Sequence, residues 1–444
     1  MNAREVARRV LARVDEGAYA TLALSGELDR ARGLHENDRG LATELVYGVL
    51  KRRLRLDWAL GALAPRGLDA LDARTLDALR LGAYQILFLR IPAHAAVDDA
   101  VEAVKHARGA KLAGFANALL RRLAREGEPA PPPEKDLAAH LSVVESAPRW
   151  LVEDALRRFP PDEARAFLAS LNQPAPLWLR ASSLRGTRDE LQALIAADRP
   201  NARLEPSPLV DEALRVEGGG DLFHTRAYAE GRFLAQDVAA QIVARLVEPR
   251  AGESLLDACA GVGGKSTHLA ALTGDRARID AADLSERKLE LCADHARRLG
   301  AASIATIACD LTDERAPLQP GYDRVLLDAP CTGLGVLRRH PEAKWRREAA
   351  DAVALAELQA ELLAALAGRV KPGGLLVYSV CTFSDEEGPR QIAAFAAAHP
   401  EFAVEPPSEP RLAALCDERG ALRTWPHRHD ADGFFAVRLR RKTL

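Results

Sequence analysis

Apolar residues recur at helical spacing through the first quarter of the chain. Val6, Val10 and Val14 stand four apart with Leu11 beside them, and Leu41, Leu45, Val46, Val49 and Leu50 repeat the pattern. The spacing returns in Leu76, Leu79, Tyr84 and Leu87, in Val97, Val101 and Val104, and in Leu112, Phe115, Leu119 and Leu123. One apolar stripe per segment, without β-branched alternation, predicts an all-α bundle over residues 1–126. Glu128-Pro129-Ala130-Pro131-Pro132-Pro133-Glu134 then interrupts it, because proline fixes φ and removes a backbone donor. Residues 127–146 read as a linker, and 147–172 as two short helices broken at Pro160-Pro161.

Past residue 176 the period changes. Leu177-Trp178-Leu179-Arg180-Ala181, Leu214-Arg215-Val216 and Arg232-Phe233-Leu234 read as strands, with a helix from Arg188 to Ala197. Residues 147–235 are therefore expected to form a helical linker and a small α+β (RRM-like) module. From 236 to 444, apolar strands alternate with helices. The strands are Ser254 to Asp257, Ala277 to Ala281, Ile304 to Ile307, Arg324 to Asp328 and Leu375 to Tyr378; Glu286–Leu299 and Glu348–Arg369 lie between them as helices. That alternation predicts a parallel, doubly wound, Rossmann-like α/β domain, closed by a last strand at Gly433 to Leu439.

Composition narrows the function classes. No apolar run reaches the roughly 18 residues of a membrane span. The N-terminus is charged and amphipathic, unlike a signal peptide, so a cytoplasmic protein is expected. All six cysteines lie after residue 258 and none forms a C-x-x-C pair, so reduced thiols and no metal site are expected. The net charge of −2 is uneven: residues 1–125 hold 21 Lys and Arg against 15 Asp and Glu. That surplus makes the helical segment the better candidate for phosphate backbones, although only 9 of the 61 basic residues are Lys and arginine bias contributes.

Candidate chemistry gathers where strands end. Leu255-Leu256-Asp257 runs into Ala258-Cys259-Ala260-Gly261-Val262-Gly263-Gly264-Lys265-Ser266-Thr267, a glycine-rich turn opening a helix. A P-loop would need glycine where Cys259 stands, and Gly261-x-Gly263-Gly264 misses the dinucleotide fingerprint. An S-adenosylmethionine pocket fits better. Asp283 follows Gly263 by twenty residues, where a carboxylate would meet ribose hydroxyls, and Asp310 ends the next strand within reach of an adenine amine. Each aspartate alone could be a helix cap; their placement after successive strands favours the cofactor.

Two cysteines, Cys331 and Cys381, each follow a predicted strand, where residues face the ligand crevice. Two thiols in one crevice suggest covalent chemistry, and the pair points to attack on a pyrimidine ring. A thiolate adding to C6 of cytosine makes C5 nucleophilic, and a base then frees C5 of its proton. Asp328 is placed to offer a protonated carboxyl to N3 and relieve ring charge. Which thiol attacks is left open by position alone.

These residues resemble the RsmB-type (Sun/Fmu) 16S rRNA cytosine-C5 methyltransferases. The resemblance is carried by Asp257 to Thr267, Asp328-Ala329-Pro330-Cys331, Arg338-Arg339-His340-Pro341-Glu342-Ala343-Lys344-Trp345, the Cys381 strand end and Asp432-Gly433-Phe434-Phe435. It implies that Cys381 is the nucleophile and that Cys331 assists release. It also implies that Cys259, Ala260, Gly261, Val262, Gly263, Gly264, Lys265, Asp283, Asp310 and Asp328 surround S-adenosyl-L-methionine, and that Lys344 helps hold RNA or the site. Residues 1–126 look like the NusB-type RNA-binding bundle of these enzymes, through Glu44 to Leu50 and Phe115 to Arg121. A monomer acting on 16S rRNA, naked or in an assembling particle, is then expected. The same chemistry on tRNA and an inactive RNA-binding or assembly protein are the rival readings. Gly261-Val262 stands where the family usually has Ala-Pro, which loosens the turn and adds an N–H; Val380 and Thr382 flank Cys381 in place of Thr and Ser.

Overall fold

Asn2 opens the first helix, Ala3–Asp15, by accepting from Glu5 N at 2.9 Å, and the predicted stripe of Val6, Val10, Leu11 and Val14 is buried. A computed structural model describes residues 2–443. Helices Ala20–Arg30, Glu36–Leu63, Ala73–Phe88, Ala93–Arg108 and Ala110–Glu126 complete the expected bundle, and their apolar stripes meet in one core. Two glycines let helices approach closely. A Cβ on Gly48 would lie 2.0 Å from the Tyr84 ring, and one on Gly82 would lie 2.8 Å from Leu120.

The chain divides into two units. The helical unit contains residues through Pro174 and, from far along the chain, Leu337–Arg347. Within the stretch read as a linker, Asp136 caps a helix at Leu137–Val144, accepting from Ala139 N. Helices Arg149–Arg158 and Pro161–Ser170 follow, broken at Pro160 as expected.

The second unit holds both sheets. The first is antiparallel, from β1 (Leu177–Ala181), β2 (Arg203–Pro206), β3 (Ala213–Glu217) and β4 (Phe233–Ala235), in the order β2-β3-β1-β4. The second is built from β5 (Ser254–Ala258), β6 (Arg278–Asp283), β7 (Ile304–Ala308), β8 (Tyr322–Asp328), β9 (Val370–Val380), β10 (Phe402–Val404), β11 (Leu422–Thr424) and β12 (Phe434–Arg441). Its order is β10-β12-β9-β8-β5-β6-β7, with β11 also on β12.

The larger sheet corrects the expectation of a purely parallel one. β5 to β9 pair in parallel, but β12 runs antiparallel to β9, and β10 and β11 run antiparallel to β12. Parallel neighbours need a crossover, and the short segments between β10, β11 and β12 carry only single-turn helices. The run of parallel strands alone sets the ligand edge. Register aligns Ala258 with Ala282 and Leu327, and Asp328 with Ser379, so Cys259, Asp283, Asp328 and Ser379 stand at one level.

The two sheets share buried polar contacts. Fully buried Arg180 of β1 donates to Thr267 Oγ1 at 2.8 Å, to Gln236 Oε1 at 2.6 Å and to the Gly264 carbonyl. Burial lowers the Arg180 guanidinium to about 9. Glu212 receives His268 Nε2 at 2.5 Å and Arg245 at 2.9 Å. The small module thereby braces the helix Gly264–Leu272 that follows the glycine-rich turn.

Candidate active site

The glycine-rich loop turns on left-handed residues: Cys259 at φ 62°, Gly261 at 56° and Gly263 at 78°. Cys259 lacks glycine's freedom, so its conformation costs on the order of 1–3 kcal/mol, held by the strand before and the helix after. Gly263 is also enforced by packing, because a Cβ there would meet Cys292 Sγ at 2.3 Å. At Gly261 nothing lies within 4 Å of that position, so the loop is open on this face. Burial, then the charge of Asp283, pushes the Cys259 thiol up to about 12. It packs rather than reacts.

Asp283 ends β6 and is nearly buried, accepting from Gly261 N and Ser285 N at 2.9 Å each. An ionised carboxylate has about four acceptor sites, so hydroxyl donors can still be met. Asp310, beyond β7, is exposed and accepts from Thr312 N at 2.9 Å and Thr312 Oγ1 at 2.7 Å. It closes a turn and caps no helix. Ala260 and Val262 complete the loop, and the Val262 carbonyl meets His295 Nδ1 at 2.9 Å.

Asp328 ends β8 and accepts from Ser379 Oγ at 2.7 Å and from Lys265 Nζ. Burial disfavours the Lys265 ammonium, but Asp328 outweighs it and raises the group; Cys381 adds to the same effect. The sequence reading made Asp328 a donor. Here it is an acceptor twice over, because the P-loop-like lysine reaches it.

Cys331 and Cys381 do meet: their sulfurs lie 3.2 Å apart, and both thiols are free. The Cys381 thiol, and then burial, drive the Cys331 thiol well above its ordinary range. Backbone bonds lace the two segments together. Ala329 N donates to Ser379 O and Gly335 N to Cys381 O, both at 2.9 Å. Gly433 N, from the Asp432-Gly433 motif, donates to Gly335 O at 2.8 Å, and a Cβ on Gly335 would collide with the Gly433 carbonyl.

Sequence reading missed the groups directly behind the thiols. Thr332 Oγ1 and Thr382 Oγ1 are 2.9 Å apart, and Glu387, fully buried, takes Thr332 N at 2.7 Å and Thr332 Oγ1 at 2.5 Å. Gln359 Nε2 reaches the same carboxylate at 3.2 Å, and Tyr378 OH donates to the Glu387 carbonyl at 2.6 Å. The available signal was threonine after each cysteine and an acid close behind.

Lys344 belongs elsewhere. It lies in the helical unit, 1% exposed, with Nζ donating to Lys51 O at 3.0 Å, Ser146 O at 2.9 Å and Asn172 Oδ1 at 3.0 Å. All three of its hydrogens are used. This corrects the expectation that it holds RNA or the site: a buried ammonium with three protein acceptors has none left to offer.

Three family models match the chain: 16S rRNA methyltransferase RsmB/F over residues 244–440, the NusB family over 1–125, and the ferredoxin-like domain of RsmF/B-like methyltransferases over 147–222. A Mycobacterium tuberculosis protein whose name goes no further than methyltransferase is 37% identical, over 99% of this chain and 95% of its own. Ribosomal RNA small subunit methyltransferase B of Vibrio cholerae is 34% identical, over 98% and 96%. Among solved structures, PH0851 superposes with a TM-score of 0.83 at 26% identity over 99% of both chains. NSun6 from Pyrococcus horikoshii with SFG gives 0.60 at 22% over 67% of this chain and 99% of that one, and shares the fold. With relatives matched from end to end, the chain belongs to the 16S rRNA methyltransferase RsmB/F family and is a methyltransferase.

Proposed function

We propose that this protein transfers a methyl group from S-adenosyl-L-methionine to C5 of a cytosine in 16S rRNA through a covalent Cys381–C6 bond, with Cys331 assisting release. The observation that carries the reading is the pair of sulfurs 3.2 Å apart, just beyond the Asp328–Ser379 contact at the sheet edge. The open face at Gly261 and the spare lone pairs of Asp283 fit the cofactor, as does the acid at Asp310. When bound, it supplies an electrophilic methyl group.

The Cys381 thiolate adds to C6, and the C5=C6 electron pair shifts into the ring, leaving C5 able to take the methyl. A proton relayed from Lys265 through Asp328 moves to N3 as negative charge develops there, and returns along the same path when the double bond is restored. Loss of the C5 proton to a base restores the double bond and expels the thiolate. The family resemblance supports Cys381 as attacker, and the 3.2 Å separation leaves Cys331 close enough to assist departure.

The test incubates wild type, Cys381→Ala and Cys331→Ala with labelled cofactor and unmethylated 16S rRNA or tRNA. Cys381→Ala is expected to be inactive, and Cys331→Ala to leave a slow-migrating protein–RNA band on a denaturing gel. Methylation by Cys381→Ala at the wild-type rate refutes the mechanism. Labelling of tRNA alone refutes the substrate.

A further inference from the structure

Each cysteine is followed by threonine, and the two threonine hydroxyls touch at 2.9 Å. One carboxylate stands behind both: Glu387 accepts the backbone N–H and hydroxyl of Thr332, whose oxygen meets Thr382. Glu387 is itself clamped, by Gln359 at one carboxylate oxygen and by Tyr378 at its backbone carbonyl. Gln359 also donates to Pro330 O at 2.8 Å, so the residue before Cys331 is held by the same cluster.

A buried carboxylate bonded only to neutral donors is costly, and burial raises its affinity for protons. A fold keeps such a group where geometry needs it. We propose that Glu387 is a positioning residue for methyl transfer, holding the segments of Cys331 and Cys381 at the spacing that lets one thiol attack and the other assist release. The proposal rests on the two-thiol reading above. Glu387 makes no hydrogen bond to either sulfur; it acts through Thr332 and Thr382.

Glu387→Gln separates positioning from proton transfer. Its amide oxygen can still accept from Thr332 N, and its NH2 can donate to Thr332 Oγ1, which then donates onward to Thr382. Positioning therefore predicts that Glu387→Gln retains activity within about tenfold, whereas Glu387→Ala loses about 10²-fold, the scale of a 1 Å misplacement. The cofactor KM stays near wild type, because no group of the glycine-rich loop bonds to this cluster.

Phenylarsine oxide, which closes a ring only on two adjacent thiols, reports the spacing directly, with the ring mapped to the Cys331 and Cys381 peptides. Capture by folded Glu387→Ala and Thr332→Val is expected to slow by about tenfold, one decade in rate. Wild-type capture in both variants overturns the proposal, even if Glu387→Ala melts earlier. Loss of activity in Glu387→Gln equal to that in Glu387→Ala also overturns it, in favour of proton transfer. If Cys381→Ala remains active while capture slows in Glu387→Ala, the two-thiol chemistry fails and the spacing role stands alone.

Discussion

Cys331 Sγ lies 3.2 Å from Cys381 Sγ. A disulfide needs about 2.05 Å, so a modest side-chain rotation would join them. Diamide, by accepting two hydrogens, is expected to convert the pair to a disulfide and abolish methyl transfer, and dithiothreitol to restore it. Peptide mapping checks the link. A cross-linked pair with full activity would show that neither thiol is needed free.

The Lys265–Asp328 pair predicts a thermodynamic asymmetry. Asp328→Ala leaves a largely buried ammonium without its partner, at a cost of about 3 kcal/mol. Lys265→Met with Asp328→Ala is expected to cost less than the sum of the single changes by at least about 1 kcal/mol. Urea unfolding of the four proteins measures the difference.

Gly263→Ala places a methyl group 2.3 Å from Cys292 Sγ at a backbone φ of 78°. We expect a loss of stability of about 1–3 kcal/mol and weaker S-adenosylmethionine binding by calorimetry. Cys292→Ala should restore little, because Cys292 Cβ lies 3.0 Å from the same point and the backbone strain is unchanged.

Lys344 carries a signed pH prediction. Burial lowers it to about 7 from an ordinary value of 10.5. Between those values the unfolded chain binds more protons than the folded one, so this group makes stability rise with pH across the window. Lys344→Met removes that slope. The stability advantage of wild type over the variant should widen from pH 7 to pH 10 in denaturant titrations. At pH 7 it already costs about 1–3 kcal/mol through unsatisfied carbonyls.

Long periodic segments were legible in the chain, and short edges were not. The helical stripe of Val6, Val10 and Val14 and the strand ending at Asp328 emerged as read. The strands Arg203–Pro206, Phe402–Val404 and Leu422–Thr424 span three or four residues, too few for a period to appear. At the candidate site, strand ends and glycines mark the loop, because a turn at positive φ constrains residue type. Hydrogen-bond partners leave no such mark. Nothing local distinguishes Glu387 from Glu386 beside it, yet one is fully buried beneath Thr332 and the other pairs with Arg390. Lys344 was misread for the same reason: a lysine in a basic motif looks exposed until its three acceptors are seen.

The Leu337–Arg347 excursion makes the helical unit discontinuous in sequence. Trp345 Nε1 donates to Leu50 O at 2.7 Å, and Arg346 Nη2 to Ala18 O also at 2.7 Å. Ala20 N donates to the Glu342 carboxylate at 3.0 Å. Expressed alone, residues 1–174 would lack the insert and leave those groups, with the Lys51 and Ser146 carbonyls, facing a vacated slot. The helical module in this protein is thus no detachable cassette: supplying the missing peptide in trans should be what lets the fragment hold its shape.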